Sequence, residues 1–343
     1  MSIISSIIMT LPGSTPVVTA TTPSAGSTWS PIWNPCTVVT DATTNSGWTN
    51  IVFIKEWDMF IALAWHANYV CYSHNGVDWH QATLPYNDAW HGIAYGNGQA
   101  IIVGATAHTV TSIDGINWTA GTDLPAYNYY SDIAYGGGVF VAISTNYYFY
   151  STNGASWNAC TLPAGSLAGW TIAYGNGVFI SATGDQPTSQ VNKVGYSTNG
   201  ITWSSVTLPV TDNIRQVRFN KTHHYPNGVF LALGGLSAVL SVDGLTWTNS
   251  ALSTNNDWLG LAYGTTPTVA SGLYITTGQA YGTGGGNAMN WSFDGVTWGT
   301  GNMASTGDWF GIAYGNPTAK PDGIFVVLPY TGTTANWTAI SAT

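Results

Sequence analysis

The chain has 343 residues and a formal net charge of −9 at pH 7. Charged side chains make up only 6% of it, against roughly 25% in an ordinary soluble domain, which excludes a coiled coil or a charged helical bundle. The negative balance repels a phosphate backbone, and 45% hydrophobic with 13% aromatic residues excludes a disordered chain.

The stretch 10–27 is dominated by Ser, Thr, Pro and small apolar residues. Residues 1–27 therefore read as an extended N-terminal arm that docks on a neighbouring subunit. The apolar cluster Ile3, Ile4, Ile7, Ile8 and Met9 has no basic residue before it, since the first is Lys55, so no signal peptide is evident. No apolar run approaches the ~18 residues that cross a membrane. Cys36, Cys71 and Cys160 are too few, and odd in number, for a disulfide framework, and no C-x-x-C pair suggests zinc.

Residues 28–343 repeat. Seven short strands open the units: 51–53, 93–95, 133–135, 172–174, 217–219, 261–263 and 312–314, each reading aliphatic-x-Tyr/Phe. A Gly-rich turn usually follows, then an apolar run such as 139–143 or 229–233, then a third strand. The third strand ends in Ser-x-Asp/Asn-Gly-x-x-Trp, found at 73–79, 112–118, 151–157, 197–203, 241–247 and 292–298. A weaker copy ends at Trp29 and a degenerate one at Trp337. The spacing of these Trp residues averages about 44, the period of a four-stranded propeller blade. Seven first strands predict an all-β, seven-bladed β-propeller of four-stranded antiparallel blades. Ring closure is expected through a last strand near Trp337 with Trp29 packed beside it; the alternative is a clasp in which 27–30 swaps in from the N-terminus.

The Asx-Gly pair suits the positive-φ positions of a tight hairpin, and the Ser and Asx side chains can hold nearby backbone N–H groups. This motif resembles the Asp-box, or BNR repeat, of sialidase-type propellers. The resemblance spans about 300 residues and implies architecture, with the motif remote from any active site. A sialidase would also need an arginine triad and a Tyr/Glu pair. The chain holds two arginines, Arg215 and Arg218, and one glutamate, Glu56, so that activity is not expected.

Trp48, Trp90, Tyr130, Trp258 and Trp309 lie three residues before the aliphatic that opens each first strand, and Trp170 lies two before it. Symmetry places them near one end of the central channel. There they form a candidate glycan-binding face, somewhat similar to tectonin-type propeller lectins, or else pack between blades. The longest second-to-third-strand connections on that face are 184–195 and 278–290. Asp88, Asp132, Asp257 and Asp308 stand at the starts of first strands; they cap those strands or, less simply, supply a carboxylate pair. Arg218 replaces the alanine of most other units and reads as an ion pair or a channel-lining charge, with Arg215 and Lys221 nearby. His223 and His224 read as a solvated loop pair. The four Asn-x-Ser/Thr sequences, at Asn117, Asn220, Asn290 and Asn336, read as chance. No catalytic residues, metal ligands or cofactors are expected.

The low charge, with many Ser, Thr, Asn, Gly and aromatic residues, resembles the composition of virion proteins of tailed bacteriophages. The resemblance implies a non-catalytic virion surface protein of tail-fibre or receptor-binding type. It would dock on other virion subunits through its arm, in multiple copies, and present the propeller to host-surface glycans. The alternatives are a purely structural capsid- or tail-decorating protein, a secreted propeller lectin, and a polysaccharide hydrolase. Neither nucleic-acid binding nor membrane insertion is expected.

Overall fold

A computed structural model describes residues 34–38, 47–163, 169–182, 184, 192–252, 257–267, 269–279, 288–303, 308–329 and 337–340. The expected arm, 1–27, and Trp29 lie outside these residues, as do most of 184–195 and much of 278–290. Apart from one 3-10 turn at Lys55–Trp57, every regular element described is a β-strand. The strands form a β-propeller of four-stranded antiparallel blades.

The sheets number six, not the seven separate blades expected. Five are four-stranded and cover 90–120, 130–159, 171–207, 216–251 and 257–302. The sixth has eight strands and contains both the first and the last repeat. Seven inner strands still follow one another in ring order, but the first, Trp48–Ile54, and the last, Trp309–Gly315, belong to one sheet. The cause is the N-terminal strand Asn34–Val38. It pairs antiparallel with Trp337–Ile340 (Asn34↔Ala339, Cys36↔Trp337) and parallel with Asp78–Asp88 (Thr37↔Asp78, Val38↔Trp79). Ring closure also differs from expectation. Trp337–Ile340 is the third strand of the last repeat rather than its fourth; the strand 34–38 completes the set, and 27–30 lies outside the described residues.

The core lies between neighbouring repeats, where the faces of adjacent sheets meet. Each repeat also leans on the next at its inner edge. A Cβ on Gly96, Gly136, Gly175, Gly264 or Gly315 would lie 2.0–2.5 Å from the ring of Tyr135, Tyr174, Phe219, Tyr314 or Phe53, respectively, in the following repeat. Those rings pack in turn on an aromatic of their own second strand, as Tyr174 does on Phe179 at 4.7 Å.

The six Ser-x-Asx-Gly turns share one geometry. The Ser Oγ accepts the Gly N–H at 2.8–2.9 Å, and the Asx Oδ1 accepts the next two N–H groups. The Gly sits at φ of +71° to +77°, where a side chain is strained. In four copies the Trp indole N–H closes on the Gly carbonyl. Asp114 carries a further bond from Asn117, and these donors hold its carboxyl down at about 2. Ser151 is fully buried, so Ser151→Ala leaves the Gly154 N–H without its acceptor. We expect a loss of about 1–3 kcal/mol, read from the urea midpoint; an unchanged midpoint would contradict this account of the turn.

Candidate functional site at the channel mouth

Five of the six aromatics expected on the glycan face are buried. Trp90, Tyr130, Trp258 and Trp309 are at most 1% exposed and Trp48 is 8% exposed. They are core, packed between repeats, and three have polar tips tied to carbonyls: Trp90 to Ala67, Tyr130 to Ala126, Trp258 to Gly235. Only Trp170 is half-buried and open to the channel.

The reason is a bulge. In five inner strands the pairing register slips by one residue directly after the aromatic, between Trp48 and Asn50, Trp90 and Gly92, Tyr130 and Asp132, Trp258 and Gly260, and Trp309 and Gly311. An extra residue of this kind re-aims side chains at a sheet edge. The aromatic goes into the core, and the bulged residue (Thr49, His91, Ser131, Leu259 or Phe310) lines a cavity of about 280 Å³ at the mouth of the channel.

Polar groups at this mouth tie neighbouring repeats together. Thr49 Oγ1 donates to the Trp90 carbonyl, Asn50 Nδ2 to the His91 carbonyl at 2.8 Å, Ser131 Oγ to the Gly169 carbonyl at 2.9 Å and Gln216 Nε2 to the Leu259 carbonyl. Asp132 is wholly engaged. Its Oδ1 accepts the Ile133 N–H, and its Oδ2 accepts Thr171 Oγ1 and the Ile172 N–H, both at 3.1 Å. Asp88 likewise accepts the Ala89 N–H, so both carboxylates cap their strands. Burial raises the Asp132 carboxyl, opposed by the Arg218 guanidinium and these donors. Thr171 Oγ1 also accepts Arg218 Nη1 at 3.2 Å, and Nη1 donates to the Val217 carbonyl at 2.9 Å. The hydroxyl thus relays between carboxylate and guanidinium. Among the described residues both bonds of Arg218 use Nη1.

Four half-buried rings form an arc along the cavity wall. Trp65 meets His91 edge-on at 4.9 Å, His91 lies 4.5 Å from Tyr129, and Tyr129 stacks on Trp170 at 6.4 Å and 20°. Trp65 sits on the tight hairpin between Met59–Ala64 and Ala67–Ser73, followed by His66 at a φ of +52°. His91 is held well below the usual imidazole range, at about 3, chiefly by burial and secondarily by His66. Its Nε2 and Gln216 Oε1 are buried in the cavity wall with no partner among the described residues.

The His91 shift fixes the sign of a pH effect. The folded state takes up its proton near 3, whereas the unfolded chain does so near 6.5, so stability is intact above pH 6.5 and falls as pH drops from 6.5 toward 3. One such proton gives a slope of up to ~1.4 kcal/mol per pH unit. We expect His91→Gln to flatten the acid limb of stability against pH; a wild-type slope in the variant would refute this role.

Among the described residues, no three His, Cys, Asp or Glu side chains group as a metal site. His223 and His224 are exposed, with ring centroids 5.6 Å apart.

No family model and no curated protein matches the chain. Solved structures do. YCF48 bound to D1 peptide is 16% identical, with a TM-score of 0.64, covering 94% of this chain and 100% of that one. A catalytically inactive virginiamycin B lyase from Staphylococcus aureus with quinupristin is 11% identical, with a TM-score of 0.68, covering 90% and 97%. The WD40 propeller domain of Doa1 is 10% identical, with a TM-score of 0.58, covering 86% and 93%. The likeness is one of fold. It joins a lyase with proteins of other roles, so it leaves activity open.

The sequence reading missed Trp65 and Tyr129, which occupy loop positions outside the repeated slot. It did single out Arg215, Arg218 and Asp132, and all three line the cavity.

Proposed function

We propose that this is a non-catalytic recognition propeller of Asp-box type that takes a glycan unit into the channel mouth, in the setting of a tailed-phage virion surface. The observation that carries the reading is the arc Trp65–His91–Tyr129–Trp170 on the wall of the 280 Å³ cavity. Flat apolar faces with polar tips suit sugar rings at a wet site. Asp132 is the single carboxylate among the described lining residues, and it is spent on three hydrogen bonds, whereas glycoside cleavage ordinarily uses two carboxylates. The virion setting rests on composition and on the arm expected at 1–27.

The test is binding of the purified protein to host-surface polysaccharides and intact cells, with Trp65→Ala and Tyr129→Ala alongside. Loss of a stacking ring is expected to weaken binding about ten-fold or more, with quenching of Trp fluorescence in the wild type. No binding across a broad host panel, or equal binding by both variants, would defeat the reading.

A purely structural decorating role has one observation in its favour. The turns opposite the cavity expose Ile113 at 77%, Val242 at 55% and Leu245 at 51%, apolar groups of the kind that pack against neighbours.

A further inference from the structure

The face opposite the cavity carries an apolar seam. In the fifth repeat the Ser-x-Asx-Gly turn exposes Val242 and Leu245, and in the sixth it exposes Val296, at 47%. The two turns adjoin. Ser250 Oγ of repeat five donates to the Val296 carbonyl, and a Cβ on Gly295 would lie 2.9 Å from Leu240, two residues before Val242. Repeat two also exposes Ile113 and Ile116, but the turns on either side of it hold His74 and Thr152 in the place of Ile113. The carboxylates of the seam are engaged: Asp243 Oδ1 accepts the Leu245 and Thr246 N–H groups, and Asp294 Oδ1 those of Val296 and Thr297. Neighbouring exposed aliphatics of this kind mark an interaction surface.

Strand register shows where the chain enters. Ile340 pairs with Phe325 as Ser73, the first residue of its turn, pairs with Phe60. Ile340 therefore stands at the turn face, and Asn34, opposite Ala339, stands one place from it. The strand Asn34–Val38 runs from that face toward the cavity side, so the chain ahead of Asn34 approaches from the turn face. Residues 1–33 lie outside the described residues. Their sequence holds no Asp, Glu, Lys or Arg, and gathers Ile3, Ile4, Ile7, Ile8 and Met9 into seven positions. Between Met9 and Asn34 stand 24 residues, which span about 80 Å at full extension.

Three aliphatic side chains are too few for two whole propellers to pair stably, which takes about 1,000 Å² or more. A tethered segment needs less, because the link holds it at an effective concentration in the millimolar range. A short, uncharged, aliphatic segment also matches a seam whose carboxylates are already bound. We propose that residues 3–9 fold back onto the turn face of their own propeller and cover the seam formed by Val242, Leu245 and Val296. The contact is independent of whatever the channel mouth binds.

The full-length protein is made with the photo-cross-linker benzoylphenylalanine in place of Ile4 or, separately, of Ile8. Isotope-light and isotope-heavy copies are mixed, illuminated and digested. Cross-links are expected within single copies, to 241–247 and 292–298. With Val242→Ser, Leu245→Ser and Val296→Ser together, their yield should fall about five-fold or more, because the apolar area that holds the segment is gone. These side chains are exposed, so the fold should survive, and circular dichroism checks it. In a second measurement, Ile3→Ser, Ile4→Ser, Ile7→Ser and Ile8→Ser together should about double the fluorescence of a hydrophobic-surface dye, and the three seam substitutions added to that variant should reverse the rise. Cross-links between light and heavy copies would give the seam to a second copy's segment and overturn the contact within one chain. Cross-links to the cavity face, no cross-link from either position, an undiminished yield in the seam variant, or unchanged dye fluorescence would overturn the docking site.

Discussion

Gly136→Ala is expected to destabilise the protein by about 3 kcal/mol, at the upper end for a single methyl forced into a packed core. The added Cβ would stand 2.0 Å from Cγ of Tyr174. That ring cannot step aside cheaply, because it is held against Phe179 at 4.7 Å in its own sheet. The backbone of Gly136 is not in the positive-φ region, so the loss would be steric and not conformational. Urea unfolding measures it. Removing the ring as well, in Gly136→Ala/Tyr174→Ala, should be less damaging than the two single losses added together, since both act at one contact. A loss under about 1 kcal/mol for Gly136→Ala would show that the repeats are not registered by this contact. The effect is specific to place: the matching positions in the first and fifth repeats are Ile54 and Asn220, and there the next ring tolerates a side chain.

Removal of the N-terminal strand is expected to have a comparable effect. A chain beginning after residue 38, measured against one beginning at Asn34, loses pairing on two sides: three antiparallel positions with Trp337–Ile340 and two parallel positions with Asp78–Asp88. At about 1 kcal/mol for each of these five positions, the cost is about 5 kcal/mol. The shorter chain should also self-associate, because it bares a strand edge on the last repeat. Thermal unfolding and size-exclusion chromatography read the two effects. Equal stability and a monomeric profile in both chains would mean that the ring does not depend on this strand.

The architecture was legible because it is written many times. The Ser-x-Asx-Gly-x-x-Trp turn recurs six times with one hydrogen-bond pattern, and each first strand repeats aliphatic-x-aromatic. Repetition gave the blades and the period. It could not give the number of sheets, since two parallel pairings, Thr37 with Asp78 and Val38 with Trp79, merge the first and last repeats, and Asn34–Val38 carries no copy of the motif. The site was legible only in its exceptions. Arg218 stood out because alanine holds its place in most other repeats, and it does line the channel. The aromatic slot misled because a bulge follows it: one extra residue exchanges the inward and outward faces of a strand, and no periodicity announces it. Trp65 and Tyr129 sit in loops, where tertiary packing alone brings them to His91 and Trp170.

The pairing of the N-terminal strand has a consequence in time. Asn34 and its partner Ala339 are about 300 residues apart along the chain. At synthesis rates of roughly 5–20 residues per second, that interval is on the order of 15–60 s. Throughout it, Asn34–Val38 has been made and its antiparallel partner has not. Its parallel partner, Asp78–Asp88, leaves the ribosome within roughly the first sixth of the wait. The parallel pairing therefore gives the nascent strand an early berth beside the first repeat, with its other edge turned toward the place where the last strand will arrive.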